Sequence, residues 1–223
     1  MDRQSVPKTH ALPLPSPEPQ AVTVPGVGRL HAAGDVRLLH CPGVAVVGSR
    51  RASYTGRALT ADAAWELVRQ GLVVISGLAA GIDGTAHEAA MLAGGRTIAV
   101  LGTSLDKAYP RHHASLQDRI ARGHLVVSPF ESGTPTARWH FPARNRVMAR
   151  LAKAMVLVEA SETSGTRYQV QECVTLGRPV LVHEVLLEAG RIEWLTAMHR
   201  KGYVQSWGSA AELGARVQEL GEP

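Results

Sequence analysis

The feature that most constrains the fold of this chain is a series of short apolar runs separated by helical stretches. The six runs are rich in β-branched residues and about one strand long: Val44–Val47, Leu72–Ile75, Thr97–Val100, Leu125–Val127, Met155–Val158 and Pro179–Val182. Such runs are typical of strands buried on both faces of a sheet. Between them, Leu59, Ala63 and Leu67 recur at helical spacing, and Asp83 is expected to cap a helix that includes Ala86–Ala93. This alternation predicts an α/β fold with three layers, in which helices cover both faces of a doubly wound, mostly parallel sheet.

The two ends of the chain are expected to differ. Residues 1–26 contain six prolines and are predicted to form a tail without regular structure. Residues 27–223 are predicted to form one domain, because 223 residues with 45 % hydrophobic content can build a single buried core. The last part of that domain predicts a helix, a short strand and a helix, at Ile192–Lys201, Tyr203–Ser206 and Ala210–Leu220.

Several classes of protein do not fit the sequence. The longest apolar runs fall far short of the roughly 20 residues that span a bilayer, and the N-terminus lacks a basic-then-apolar targeting pattern. We therefore expect a cytoplasmic protein without a membrane segment. Cys41 and Cys173 lack the spacing of a metal site, and only His112 and His113 are adjacent among ten histidines. We expect no metal and no other cofactor.

The basic residues are unevenly distributed. The chain has a net charge of +5, and the window Ser132–Val158 holds five basic residues and no acid: Arg138, Arg144, Arg146, Arg150 and Lys153. A local basic patch of this kind is typical of a protein with a polyanionic partner.

The turns that follow the strands are the first place to look for a site, because ligands of such sheets lie beyond the carboxyl ends of the strands. Gly48, Ser49 and Arg50 follow the first run, and Thr55-Gly56 then opens a helix with free N–H groups at its start. This pattern predicts an anion site, the alternative being a glycine turn with surface arginines. The turn of Ser164, Gly165 and Thr166 before another helix predicts a second phosphate cradle.

A third turn follows the second run. In Ser76–Asp83, Gly77 and Gly81 flank a stretch of small residues, and His87 comes four residues after Asp83 on the same helical face. Two interpretations remain open, an acid–base pair or a capping Asp beside a surface His, and the second is the more typical.

The basic window also places an aromatic ring at a helix start. Phe141 lies between Arg138 and Arg144, and Pro142 fits the first helical position. Rings beside guanidinium groups are used to bind single strands, since bases stack while phosphates are neutralised. Arg144 is expected on a different helix face from Arg146. The alternative interpretation is a core Phe with solvated arginines.

Taken in order, these segments resemble the DprA (also called Smf) family. The similarity extends from about residue 30 to 183 and is carried by Val44–Arg50 (VAVVGSR), Ser76–Asp83 (SGLAAGID), Gly94–Pro110 (GGRTIAVLGTSLDKAYP), Phe141–Arg146 (FPARNR), Val158–Ala160 (VEA) and Ser164–Thr166 (SGT). The resemblance implies a Rossmann-like domain that binds single-stranded DNA without chemistry on it, forms a homodimer and hands the strand to a RecA-type recombinase. The setting it implies is natural transformation (competence) and recombination.

The resemblance also implies roles for particular residues. Phosphates would be held by the GSR turn and the RNR segment, Phe141 would meet a base, and the SGT turn would close the pocket. With the glycines and the arginine singled out above, the predicted DNA-binding set is Gly48, Ser49, Arg50, Gly77, Gly81, Arg138, Phe141, Arg144, Asn145, Arg146, Ser164, Gly165 and Thr166. No residue is predicted to be catalytic.

The chain departs from the family pattern at three places: Ser128-Pro129, Thr166–Tyr168 and His183-Glu184. These departures bear on recombinase loading and dimerisation more than on strand binding, and a regulatory or phage-defence role is an alternative. A small-nucleotide sensor is another, and so is a LOG-type nucleoside-monophosphate phosphoribohydrolase. The hydrolase needs a Glu where this chain has Gln169, and Glu172 lies too far along the helix to replace it.

Overall fold

The computed structural model describes residues 17–188 and 192–220. Within them one sheet contains nine strands: β1 (Gln20–Val24), β2 (Gly28–Gly34), β3 (Gly43–Gly48), β4 (Val73–Ser76), β5 (Thr97–Val100), β6 (Leu125–Ser128), β7 (Ala154–Glu159), β8 (Val180–His183) and β9 (Gln205–Trp207). The described α-helices are α1 (Tyr54–Arg69), α2 (Ile82–Leu92), α3 (Ala114–Gly123), α4 (His140–Leu151), α5 (Thr166–Thr175), α6 (Glu193–Arg200) and α7 (Ala210–Glu219). The six predicted strands and the helix–strand–helix ending are confirmed to within a few residues.

The strand order is β1-β2-β6-β5-β4-β3-β7-β8-β9, and all pairings from β6 to β9 are parallel. The chain starts this parallel part at β3, winds outward to β6, and then returns to place β7 on the other side of β3. The predicted doubly wound, Rossmann-like α/β class is confirmed. The direction of winding reverses between β3 and β7, where sheets of this type bind their ligands.

The prediction that residues 1–26 lack regular structure is wrong for part of that segment. Residues 1–16 lie outside the described residues, but Gln20–Val24 forms β1, antiparallel to β2, which is itself antiparallel to β6. Prolines flank this stretch at Pro19 and Pro25 and leave the residues between them free to pair. Val22 and Val24 of β1 pack against the hydrophobic core.

Two helical layers cover the sheet. Alternate residues of β3 face opposite layers, since Ala45 and Val47 pack with α4, α5 and α6, while Val44 and Val46 pack with α1, α2 and α7. A smaller cluster places α3 against β5 and β6. Each central strand is buried on both faces, which is why its sequence is continuously apolar.

The two cysteines occupy different environments. Cys41 is exposed, whereas Cys173 of α5 is buried, and burial raises its pKa to about 12. Within the described ranges, no helix has both the length and the apolar character required to cross a bilayer. The same part of the chain brings together no group of three or more His, Cys, Asp or Glu side chains that could hold a metal ion.

Candidate functional site

A cleft of about 530 Å³ opens at the carboxyl edge of the sheet, where β3 and β7 end. Nine of the predicted residues line it: Gly48, Ser49, Arg50, Phe141, Arg144, Asn145, Ser164, Gly165 and Thr166. The other four, which do not line it, are Gly77, Gly81, Arg138 and Arg146. Segments far apart in the sequence therefore meet in one place, because each follows a strand or begins a helix at the same edge.

One wall of the cleft is the turn after β3. Its conformation is held by Ser49, whose hydroxyl accepts a hydrogen bond from the N–H of Arg51 (3.1 Å) and whose carbonyl accepts one from the N–H of Ile82 (3.1 Å). Gly81 has a φ of +78° and packs on this backbone so closely that a Cβ would overlap the Ser49 carbonyl. Gly81 therefore supports the turn from behind, and the Arg50 side chain is left exposed.

The start of α1, which follows this turn, is already occupied. Ser53 caps the helix by accepting a hydrogen bond from the N–H of Gly56 (2.9 Å). The Glu159 carboxylate, at the end of β7, accepts hydrogen bonds from the N–H of Ser53 (3.0 Å) and from its hydroxyl. The expectation that the α1 N-terminus contributes to an anion site is therefore wrong, because a carboxylate of the protein itself lies there.

The opposite wall is the start of α5. Gly165 occupies the N-cap position and therefore has no side chain that could cap the helix. The first turn of the helix contains no acid. The Ser164 hydroxyl lies 2.8 Å from that of Thr166, and Tyr168 stands exposed at the rim. This wall presents hydroxyl and backbone groups to the cleft without a carboxylate beside them.

The α4 helix places an aromatic ring between the two walls. Phe141 lies against Gly102, with the Tyr109 ring 5.3 Å away between centroids and the Arg50 guanidinium carbon 5.6 Å from its ring centre. Phe141 is only partly buried and lines the cleft, so the alternative of a core Phe is wrong. The helix begins at His140, which makes Pro142 its third residue rather than its first. The first turn still tolerates proline, since its N–H groups lack intrahelical partners.

The arginines of the basic window divide between the interior and the surface. Arg138 and Arg146 are exposed and lie outside the cleft, whereas Arg144 is 4 % exposed and lies in the cleft floor. The predicted separation of Arg144 and Arg146 onto different helix faces is confirmed. Arg144 lies above Gly77, where a Cβ would overlap the guanidinium. Gly77 therefore makes room for a buried cation.

Among the described residues, the acidic neighbour of Arg144 is Asp83. The Arg144 Nη1 atom is 3.7 Å from an Asp83 carboxylate oxygen and 3.4 Å from the Val100 carbonyl, while its Nε is buried without a hydrogen-bond partner among the described residues. Burial raises the pKa of Asp83, and Arg144 offsets part of that rise. The floor is thus a loosely paired buried ion pair.

Both interpretations of Asp83 and His87 are wrong. Gly81 is the N-cap of α2, so Asp83 lies within the first turn and faces Arg144 instead of capping the helix. His87 is fully buried rather than on the surface, and its Nδ1 lies 2.6 Å from the Thr97 hydroxyl. Burial lowers the pKa of His87 to about 3, which keeps the ring neutral. Asp83 is therefore paired with Arg144, and His87 with Thr97, rather than with each other.

Sequence reasoning missed two features of the cleft. Gln169 lines it and donates a hydrogen bond from Nε2 to the Asn145 Oδ1 atom (3.1 Å), whereas Glu172 does not line it. Glu159 neutralises the α1 wall. The position of Glu159 directly after a strand was a usable signal, because the carboxyl ends of neighbouring strands lie side by side. No local pattern pointed to the Gln169–Asn145 contact.

Known proteins resemble this chain in sequence and in overall fold. Residues 23–217 match the model of the DNA recombination-mediator protein A family. The chain is 44 % identical to DNA processing protein DprA of Streptococcus pneumoniae over 147 residues, which are 66 % of this chain and 52 % of the relative. It is 36 % identical to protein Smf of Escherichia coli over 178 residues, which are 78 % of this chain and 48 % of the relative. The chain spans about half the length of the curated relatives that it matches.

Solved structures show the same fold. The structure of Streptococcus pneumoniae DprA superposes with a TM-score of 0.77 at 36 % identity, covering 84 % of this chain and 66 % of the other. A Helicobacter pylori DprA structure, which concerns a single-stranded DNA binding mode, superposes with a TM-score of 0.81 at 25 % identity. The superposition covers 91 % of this chain and 97 % of the other. A molybdenum cofactor carrier protein of Chlamydomonas reinhardtii, at 0.56 and 19 % identity, covers 81 % and 98 % and shares the fold alone.

Proposed function

This chain belongs to the DNA recombination-mediator protein A family, and on that premise we propose that it binds single-stranded DNA in the cleft without altering it chemically. The observation that carries the proposal is the placement of the exposed Arg50 guanidinium 5.6 Å from the ring centre of Phe141, which itself lines the cleft. A cation for phosphates beside a ring for bases is the combination that single strands require.

The two groups are suited to a strand rather than to a lone anion. A base that enters the cleft either stacks on the flat Arg50 guanidinium or takes its place over the Phe141 ring, and both surfaces accept any base. The Ser164–Thr166 turn across the cleft supplies the Ser164 and Thr166 hydroxyls and the Gly165 N–H for the DNA backbone, whereas the N–H groups of Ser164 and Thr166 are bonded within the protein. The floor holds the buried Arg144, loosely paired with Asp83, and Gly77 and Gly81 shape the floor and the turn. Binding is therefore expected to be sequence-tolerant and sensitive to salt.

The side chains of the cleft support binding without catalysis. Asp83 is the one acid among the described lining residues, and it is buried beside Arg144. At the position where a phosphoribohydrolase needs a carboxylate, Gln169 offers an amide, which does not take up a proton as a general base does.

Family membership supports three wider proposals. The chain is proposed to act in the cytoplasm during DNA uptake or recombination, to pair as a homodimer, and to deliver the strand to a RecA-type recombinase. Arg138 and Arg146, which lie outside the cleft on the exposed surface, are proposed to guide the strand on its way in. Sedimentation with and without DNA measures the pairing, and a recombinase-assembly assay on DNA coated with a single-strand-binding protein measures the delivery.

The experiment that tests strand binding uses a fluorescent oligonucleotide of about 30 bases, measured at several salt concentrations. Arg50→Ala should weaken binding and lower the salt slope by about one phosphate contact. Phe141→Ala should cost about 1–3 kcal/mol with an unchanged salt slope, because it removes stacking rather than charge. Arg96→Ala is the matched control, since Arg96 is exposed at the opposite edge of the sheet, just before β5.

Three outcomes would contradict the proposal. The first is that duplex DNA binds as strongly as the single strand. The second is that AMP displaces the oligonucleotide completely. The third is that the Arg50→Ala variant binds the oligonucleotide as strongly as the parent protein does. Displacement by AMP would support the small-nucleotide sensor instead.

A further inference from the structure

Two amide side chains meet in the cleft and are joined to each other. Asn145 lies on α4 one turn after Phe141 and on the same helix face, while Gln169 lies on α5 three residues after Thr166. The Gln169 Nε2 atom donates a hydrogen bond to the Asn145 Oδ1 atom over 3.1 Å. Gln169 is only 7 % exposed, and both residues line the cleft.

This contact leaves two of the four polar groups of the amide pair without a hydrogen-bond partner among the described residues. Each amide has an NH₂ donor group and a carbonyl acceptor. Their mutual bond uses the Gln169 NH₂ and the Asn145 carbonyl, and the described residues offer neither amide a second hydrogen bond. A donor on Asn145 and an acceptor on Gln169 are therefore free. Neither atom is among the described buried atoms that lack a hydrogen-bond partner, so both are open to the cleft and a ligand there can reach them.

The free groups fit a nucleobase better than a phosphate. A phosphate offers acceptors only, and it would place oxygen atoms against the free Gln169 carbonyl. The Watson–Crick edge of each of the four bases carries a donor next to an acceptor, and proteins that bind unstacked bases form hydrogen bonds to that edge. We propose, on the basis of the proposed function, that the Asn145–Gln169 pair binds the Watson–Crick edge of one base of the strand.

The pair can reverse its polarity. If both amides turn by 180°, they keep one hydrogen bond between them while the free donor moves to Gln169 and the free acceptor to Asn145. Bases whose edges have opposite donor–acceptor order are then accepted equally well. The pair therefore detects that a base is present without selecting which one.

The helix geometry brings a stacked base within reach of the pair. Residues four apart on a helix face have Cβ atoms about 5–6 Å apart, which is the separation expected for Phe141 and Asn145. A base lying on the Phe141 ring thus directs an edge toward the amides, so stacking and edge binding act on the same nucleotide.

The test compares three strands of equal length: oligo-dT, oligo-dA and a base-free strand of abasic nucleotides. Gln169→Met keeps the side-chain size and removes the hydrogen bonds. It should weaken binding of both base-bearing strands by about 3- to 10-fold, and to a similar extent, while leaving the base-free strand unchanged. Gln171→Met is the control, because Gln171 is exposed on the same helix and does not line the cleft. Asn145→Ala, at a half-buried site, should give the same pattern if Gln169→Met proves unstable in thermal unfolding.

The outcomes separate this inference from the function on which it rests. An equal loss on the base-free strand would overturn it, because the amides would then only hold the cleft in shape or contact phosphates. A loss on oligo-dA alone or oligo-dT alone would overturn the reversible polarity. If the parent protein binds no strand at all, the proposed function fails, whereas strong parental binding with no effect of either variant refutes the amide pair alone.

Discussion

Two of the helices that begin beside the cleft, α1 and α5, start in different ways. The start of α1 is capped by Ser53 and covered by the Glu159 carboxylate, so its positive end is neutralised from within the protein. The start of α5 has Gly165 at its N-cap and no acid in its first turn. The two turns are similar in sequence pattern, but one helix start lies beside a negative charge and the other does not. The difference comes from the Glu159 carboxylate, which is distant in sequence from Ser53.

The two walls of the cleft therefore offer different groups to a ligand. On the α1 wall, the charge available to a ligand belongs to the exposed Arg50 side chain, because the helix end is already occupied. On the α5 wall, fixed backbone and hydroxyl groups face the ligand directly. Below both walls lies the buried pair of Arg144 and Asp83. Three substitutions test this description, beginning with the largest expected effect.

Removing half of the buried pair should disturb both walls at once. Asp83→Ala leaves the Arg144 cation buried without its acidic neighbour, and the free energy of unfolding should fall by about 3–5 kcal/mol. The double variant Asp83→Leu/Arg144→Met should recover part of this loss, because no charge is left buried. Urea unfolding of both variants measures the effect. A loss below about 1 kcal/mol for Asp83→Ala would mean that water in the cleft solvates Arg144 well enough by itself.

Neutralising Glu159 should make the α1 wall resemble the α5 wall. Glu159→Gln should lower the free energy of unfolding by about 1–3 kcal/mol, since hydrogen bonds to a charged acceptor become hydrogen bonds to a neutral one. Added sulfate should then stabilise the variant more than the parent, because the helix start no longer lies beside a negative charge and can attract an anion. Glu212→Gln is the matched control. Glu212 accepts the Gly208 N–H (2.9 Å) at the start of α7, outside the cleft. An equal response to sulfate in all three proteins would refute the comparison.

Adding a carboxylate to α5 is the reverse experiment. Gly165 has a φ of −63°, and a Cβ atom added there would have no neighbouring atom within 4 Å, so a side chain fits. Gly165→Asp should raise stability slightly by placing a negative charge at the helix start, yet weaken single-strand binding about tenfold, or about 1.4 kcal/mol. Gly165→Asn has the same shape without the charge and should bind nearly as well as the parent. Equal weakening by Asp and Asn, measured by fluorescence anisotropy, would point to steric blocking instead.

The sequence predicted the central sheet well because strands buried on both faces must be continuously apolar. It failed at β1 and β2, which lie at one side of the sheet and are partly exposed. β1 is short and mostly exposed, and β2 contains glycine, arginine and histidine. Their antiparallel pairing depends on the neighbouring strand β6 rather than on any local pattern.

The site was predictable to the level of turns but not of individual side chains. The turns after β3 and before α5 were correctly brought to one edge by the rule that ligands lie at the carboxyl ends of parallel strands. Which arginine enters the cleft depends on helix packing, and Arg144 and Arg146 have opposite environments although only one residue separates them. The contacts of Ser53 with Glu159 and of Asn145 with Gln169 join distant segments, so no local spacing could reveal them.

The position of the cleft at the reversal of winding also has a consequence for the order of assembly. Ser53 and Glu159, which close the α1 wall, are 106 residues apart in the chain, and β3 pairs with a strand made only after β6 is complete. During synthesis from the N-terminus, the six strands β1–β6 are made before β7. Until β7 is made, the edge of β3 that will pair with it has no partner strand. Whatever the cleft binds, that ability is acquired only after β7 has been synthesised and has paired with β3.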